Sequence, residues 1–259
     1  MKKPSAQSSS WGPVATWYDQ YLESSDDTYQ EKVIWPNLLR AVAPKQGETI
    51  LDVSCGQGFF TRKLADAGAA VVGADISPEL IALAKERSPK IPFHIAPASD
   101  LSFATDHSFA TAVLVLAIQN IKDMQGTFDE VRRVLAPSGR MILVLNHPAF
   151  RVPKRSSWGW DEKENVQFRR IDAYLSADTV PIVAHPGKQG SAATPSYHRS
   201  LQDFFKALSK SGFAVSRLEE WISQKESGVG PRKKAEDTAR KEFPLFLMLE
   251  ATALTAQAT

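Results

Sequence analysis

A single cysteine, Cys55, leaves no partner for an intramolecular disulfide and gives no sign of an oxidising compartment. No apolar run approaches the length of a membrane span. Charge of one sign is also missing: 31 Lys and Arg face 29 Asp and Glu, a formal net charge of +2. That balance gives no electrostatic basis for strong, non-specific nucleic-acid binding. The opening Met1-Lys2-Lys3-Pro4 and the Ser-rich residues after it contain no apolar core of a secretory signal. The expectation is a cytoplasmic protein with a disordered tail over residues 1–10. No His/Cys cluster has zinc spacing, so no metal is expected. What is present is ordinary for a globular protein, 43% hydrophobic and 23% charged over 259 residues. This suits one α/β domain spanning 1–259 with an inserted segment.

The most telling stretch is Ile50-Leu51-Asp52-Val53-Ser54-Cys55-Gly56-Gln57-Gly58-Phe59. An apolar strand runs into an acid and then into a turn with two glycines. Such a turn lets a ligand approach the backbone closely. A second acid, Asp75, ends the next apolar run, Val71-Val72-Gly73-Ala74. A carboxylate there can accept hydrogen bonds from both ribose hydroxyls. The dinucleotide form of this turn needs a third small residue, and here that position is Thr61. An acid at Asp52 would also repel a pyrophosphate. It suits an ammonium group instead. A nucleoside joined to an amino-acid ammonium describes S-adenosyl-L-methionine.

Along the chain, short β-branched runs alternate with amphipathic segments, the pattern of a parallel sheet covered on both faces. Strands are expected at 49–54, 70–75, 92–96, 110–117 and 141–145. Helices are expected at 59–67, 79–87 (Ser77 as N-cap and Pro78 in the first turn) and 128–135. The alternation then breaks between His147 and His198, a length of aperiodic chain that usually marks a lid or binding loop. Order returns with a helix at 200–211 and strands at 213–218 and 245–252, separated by a polar loop over 223–241.

Four segments carry a family resemblance: Leu51-Asp52-Val53-Ser54-Cys55-Gly56-Gln57-Gly58, Val72-Gly73-Ala74-Asp75-Ile76-Ser77, Ala98-Ser99-Asp100-Leu101, and Glu130-Val131-Arg132-Arg133-Val134-Leu135-Ala136-Pro137-Ser138-Gly139. In this order they resemble the class I S-adenosylmethionine-dependent methyltransferases. Asn146-His147-Pro148, Tyr197-His198-Arg199 and Glu219-Glu220-Trp221 are similar to a bacterial subgroup of unassigned substrate. The resemblance implies a Rossmann-like sheet of seven strands, the last antiparallel, with helices on both faces and an irregular lid, residues 147–199, after the fifth strand. It implies S-adenosyl-L-methionine as cofactor and S-adenosyl-L-homocysteine as product. Gly56 and Gly58, with Ser54 and Cys55 in the same turn, would face the methionine part. Asp75, Ile76 and Ser77 would hold the ribose, and Ser99, Asp100 and Leu101 would lie beside the adenine. The turn after the fourth strand, Leu116 to Asn120 with Leu116 and Ala117 in it, would back the cofactor, and Tyr18 would close over it. Ser54 stands where the family usually has glycine.

Transfer of a methyl group from a sulfonium releases a neutral sulfide, so catalysis rests on positioning and on excluding water. A base is needed only if the acceptor loses a proton during attack. His147 and His198 stand beyond strand ends, where open α/β sheets bind ligands, and are the candidate bases, with His185 a weaker one. Each could equally anchor the lid. The insert holds Trp158, Trp160 and Tyr197 beside Arg199, with eight basic against five acidic side chains. These would wall an acceptor pocket with arginine holding a carboxylate or phosphate, or else form the lid's own small core. The leading expectation is O- or N-methylation of a small molecule. The alternatives are an RNA or protein methyltransferase and a catalytically silent binding protein.

Overall fold

The structure is a computed structural model and describes residues 11–12, 15–24, 26–183 and 193–255. Its centre is one seven-stranded sheet. The strands are β1 (Thr49–Val53), β2 (Ala70–Asp75), β3 (Phe93–Ile95), β4 (Phe109–Val115), β5 (Leu135–Asn146), β10 (Phe213–Trp221) and β11 (Phe246–Ala253), in spatial order β10-β11-β5-β4-β1-β2-β3. All neighbours pair in parallel except at β11, which is antiparallel to both β5 and β10. The expected sheet, with its reversed last strand, is the observed one.

Strand parity sorts the core into two layers. Leu51, Val53, Leu114 and Leu143 face one side, with Phe128 and Val131 of α5 (Met124–Val134) and Phe204 and Leu208 of α6 (Leu201–Lys210). Ile50, Val113, Val115 and Val144 face the other, with Leu38 of α2 (Trp35–Val42) and Phe60 and Leu64 of α3 (Phe59–Asp66). The remaining helices are α1 (Ala15–Glu23), α4 (Pro78–Arg87) and α7 (Lys233–Glu242). The Ser77 hydroxyl caps α4 by accepting from the Leu80 N–H at 3.3 Å. α6 starts on a full capping box between Ser200 and Asp203.

Three expectations change. The chain from His147 to His198 is not aperiodic: it holds two antiparallel ribbons, β6 (Ser156–Asp161) with β7 (Val166–Ile171) and β8 (Asp178–Val183) with β9 (Ala193–His198). The first ribbon has no buried face to impose alternation; β9 does alternate, but the side chains it buries are the polar Thr194, Ser196 and His198, which leave no apolar period to read. The 223–241 loop contains most of α7, whose one buried residue is Ala239 and which therefore has no apolar stripe to read. Pro137-Ser138-Gly139 does not separate helix from strand. β5 begins at Leu135 and bulges there, with Ser138 at φ 60°.

Candidate functional site

At the carboxyl ends of β1, β2 and β4 lies a cleft of about 370 Å³. Strand β1 ends in Asp52 and feeds a turn in left-handed conformation at Ser54 (φ 58°), Gly56 (φ 58°) and Gly58 (φ 81°). Ser54 adopts the conformation that glycine supplies freely, at a cost on the order of 1 kcal/mol. The turn is fastened to β2: the Cys55 N–H donates to the Ala74 carbonyl, and the Gly56 N–H to Asp75 Oδ2, both at 2.9 Å. Asp75 Oδ1 accepts from the Ser77 N–H at 2.8 Å. The acid is thus held by two backbone donors, and each oxygen keeps a free lone pair.

Asp52 is 2% exposed. Its Oδ2 accepts from the Thr61 hydroxyl at 2.6 Å. Burial pushes its carboxyl up to about 7, opposed by the Thr61 bond and reinforced by the charge of Asp75. Burial also raises Asp75, against the Ser77 and Gly56 N–H groups that favour its charged form. The Cys55 thiol is pushed well up, first by burial and then by Asp52 and Asp75, which makes it a packing group and not a nucleophile. Two acids held partly out of water in one cleft create a demand for positive charge.

Of the expected cofactor residues, Asp52, Ser54, Cys55, Gly56, Asp75, Ile76, Leu116 and Ala117 line this cleft. Five do not. Gly58 serves packing instead: a Cβ there would lie 3.1 Å from the Phe93 ring and 3.3 Å from Ala84. Ser77 spends its hydroxyl capping α4 and donating to Glu79 at 2.8 Å. Ser99 and Asp100 lie outside the cleft, with Asp100 Oδ1 accepting from the Ser102 N–H. Leu101 is buried under α5, its N–H on Glu130 and its carbonyl on Arg133. Tyr18 falls on α1, but its side chain lies outside the described residues, as does all of His185.

The expected acceptor residues are placed differently. His147 is 2% exposed, with Nε2 on Glu220 Oε1 at 2.7 Å and Nδ1 accepting from the Ala149 and Phe150 N–H groups. Burial lowers its pKa, and neither nitrogen is open to a substrate. His198 is buried with Nε2 on the Tyr174 carbonyl at 2.7 Å. Neither histidine lines the cleft. The Arg199 guanidinium donates to the carbonyls of Ile118, Ile121 and Lys122 at 2.7–3.1 Å and stacks on Tyr197, so it is a clamp between insert and core and not a free anion hook. Trp158 packs on Arg169 and Phe243, and Trp160 on Arg232. Neither tryptophan lines the cleft, and Trp158 stays 38% exposed.

Sequence reasoning missed the roof and part of the far wall. Trp11 and Leu22 of the N-terminal segment close over the cleft, and Phe60 and Ile121 complete it beside Asn120, the last residue of the expected post-β4 turn. Gln57, in the glycine turn itself, ties the roof down. Arg62 donates to both the Gln57 carbonyl and its Oε1, and to Glu23 of α1 at 2.5 Å. Asp19 of α1 is gripped by two nitrogens of Arg87 on α4. Gln57 and Phe60 stand in or beside the glycine turn and Ile121 next to the post-β4 turn, whereas Trp11 and Leu22 come from a segment with no motif, so no sequence signal marked them.

A family model described as a methyltransferase domain matches residues 51–143. Among curated proteins, the chain is 38% identical over 106 residues to a demethylmenaquinone methyltransferase of Tropheryma whipplei, covering 39% of this chain and 44% of that one. It is 34% identical over 149 residues to the protein of that name from Clavibacter sepedonicus, covering 55% and 58%. The chain thus spans about half the length of these curated relatives. Among solved structures it resembles an S-adenosylmethionine-dependent methyltransferase from Mesorhizobium loti, with 28% identity, a TM-score of 0.65, and 84% and 96% of the two chains covered. A Listeria monocytogenes structure at 24% identity and the same TM-score shares the fold. The matched region contains the acid–glycine turn, Asp75 and the post-β4 wall. The chain is similar, over this region in sequence and over most of its length in fold, to the S-adenosylmethionine-dependent methyltransferases.

Proposed function

We propose that the protein methylates a small-molecule acceptor through oxygen or nitrogen. The observation that carries this reading is the pair of buried acids, Asp52 and Asp75, converging from adjacent strands on one cleft whose other walls are apolar. Asp75 would hold the ribose and Asp52 the ammonium. When bound, the cofactor supplies an electrophilic methyl group on a sulfonium. The chain's own residues supply position and dryness. Leu116, Ala117 and Val115 back the cleft, and Trp11 and Leu22 shield it from water. Transfer would exchange an S–C bond for an O–C or N–C bond, and the acceptor proton would pass to solvent. No histidine among the described residues lines the cleft, so the reading invokes no general base. The curated relatives support a small-molecule acceptor, because demethylmenaquinone in their names is one.

Calorimetry with S-adenosyl-L-homocysteine tests the cofactor half: the wild type should bind, and Asp75→Ala should weaken binding by at least tenfold. Unchanged affinity in the variant would remove the ribose assignment. Incubation with methyl-labelled cofactor and cell extract tests the acceptor half. Label is expected in the low-mass fraction; label confined to RNA or protein would overturn the small-molecule reading.

A further inference from the structure

The wall facing the acids has one polar side chain with an open acceptor atom. Asn120 ends the short 3₁₀ turn Ile118–Asn120 after β4 and lines the cleft. Its Nδ2 donates to the Pro195 carbonyl of β9 at 2.8 Å. A carbonyl can only accept, so this bond fixes which way the amide faces. Oδ1 is left without a partner among the described residues, and it is not sealed in the interior. Around it the wall is apolar: Val115, Leu116, Ala117 and Ile121.

The charge pattern limits what this wall can receive. No Lys, Arg or His lines the cleft among the described residues, while two buried acids do. The nearby Arg199 has its guanidinium on three backbone carbonyls. An anionic acceptor would meet Asp52, Asp75 and an amide oxygen with no cation to offset them. The sheet order runs β2, β1, β4, so a ligand with its ribose at Asp75 and its ammonium at Asp52 leaves the β4 end, where Asn120 stands, for the acceptor.

We propose that Asn120 Oδ1 accepts a hydrogen bond from the O–H or N–H of an uncharged, ring-bearing acceptor, and so selects and orients it. This rests on the methyl-transfer reading of the same cleft. The bond aims the heteroatom into the cleft while the apolar wall takes the ring.

The test is calorimetry on protein saturated with S-adenosyl-L-homocysteine, using 2-naphthol, its methyl ether 2-methoxynaphthalene, and 6-hydroxy-2-naphthoate. In the wild type, 2-naphthol should bind about tenfold more tightly than the ether, the worth of one neutral hydrogen bond. The carboxylate should bind more weakly than 2-naphthol. In Asn120→Ala the ratio of naphthol to ether should fall to about one. A merely structural role for Asn120 would weaken both probes together and leave their ratio intact. Homocysteine-product affinity should change by no more than a few-fold, and loss of the Nδ2 bond to the Pro195 carbonyl should lower the melting temperature modestly without touching the ratio. The proposal is overturned if 2-naphthol does not bind, if the carboxylate binds as well, or if the ratio survives in the variant. Failure of S-adenosyl-L-homocysteine itself to bind would sink the cofactor reading instead, so the two are distinguishable.

Discussion

Asp52→Asn should separate what the buried acid costs the fold from what it gives the ligand. The amide is the same size and still accepts from the Thr61 hydroxyl, which lies 2.6 Å from Asp52 Oδ2. In the ligand-free protein the carboxyl titrates near 7, against the ordinary 3.8 it keeps when unfolded. The folded state therefore holds a proton that the unfolded state has lost over that range, and stability falls as pH rises from about 4 to about 7. Above that the loss is constant, up to about 4 kcal/mol at roughly 1.4 kcal/mol per pH unit. The asparagine variant escapes it. Its stability gain over the wild type should grow by roughly 2 to 3 kcal/mol between pH 5 and pH 8 in urea unfolding of the ligand-free protein. Ligand binding should move the opposite way. Without the carboxylate the ammonium loses its partner, and S-adenosyl-L-homocysteine affinity should drop by about 2 to 4 kcal/mol, or roughly 30- to 1000-fold. Wild-type affinity should also fall about tenfold per unit as pH drops below 7, and the variant should lack that slope. A variant no more stable than the wild type at pH 8 would mean Asp52 is well solvated. Unchanged affinity would mean the ammonium lies elsewhere.

Two further outcomes follow from neighbouring contacts. Thr61→Val removes the one described hydroxyl on Asp52 and should raise its titration above 7, shifting the pH dependence of S-adenosyl-L-homocysteine binding upward; an unmoved profile would show that the short bond carries no weight. Arg199→Ala strips three carbonyls of their donor and should cost about 2 to 3 kcal/mol in chemical unfolding, with cofactor-product affinity unchanged; an unaltered unfolding midpoint would refute the clamp.

The cofactor half was legible because its chemistry is local in sequence. A strand, an acid and a left-handed turn occupy Leu51 to Gly58, and the second acid ends the next strand. Even there the role of Thr61 was read only as an exclusion, though its hydroxyl bonds Asp52. The acceptor half was not legible, because its decisive facts are pairings across distance. The Arg199 guanidinium is occupied by backbone carbonyls about 80 positions away, and carbonyls leave no mark in a sequence. Both nitrogens of His147 are engaged, one by Glu220, 73 residues on. The ribbons hid because the first has no buried face to alternate toward, and the buried face of β9 is made of Thr194, Ser196 and His198, which carry no apolar signal.

The place of β11 in the sheet also sets an order of assembly. Strand β10 touches the sheet through β11, which is wedged between it and β5. On a ribosome β5 is made about 100 residues before its neighbour, and β10 emerges with nothing to pair against. Two unpaired strand edges must wait for one late strand. The interval is when this chain is most exposed to pairing with the wrong partner, and a lesion that weakens β11 detaches two strands, not one.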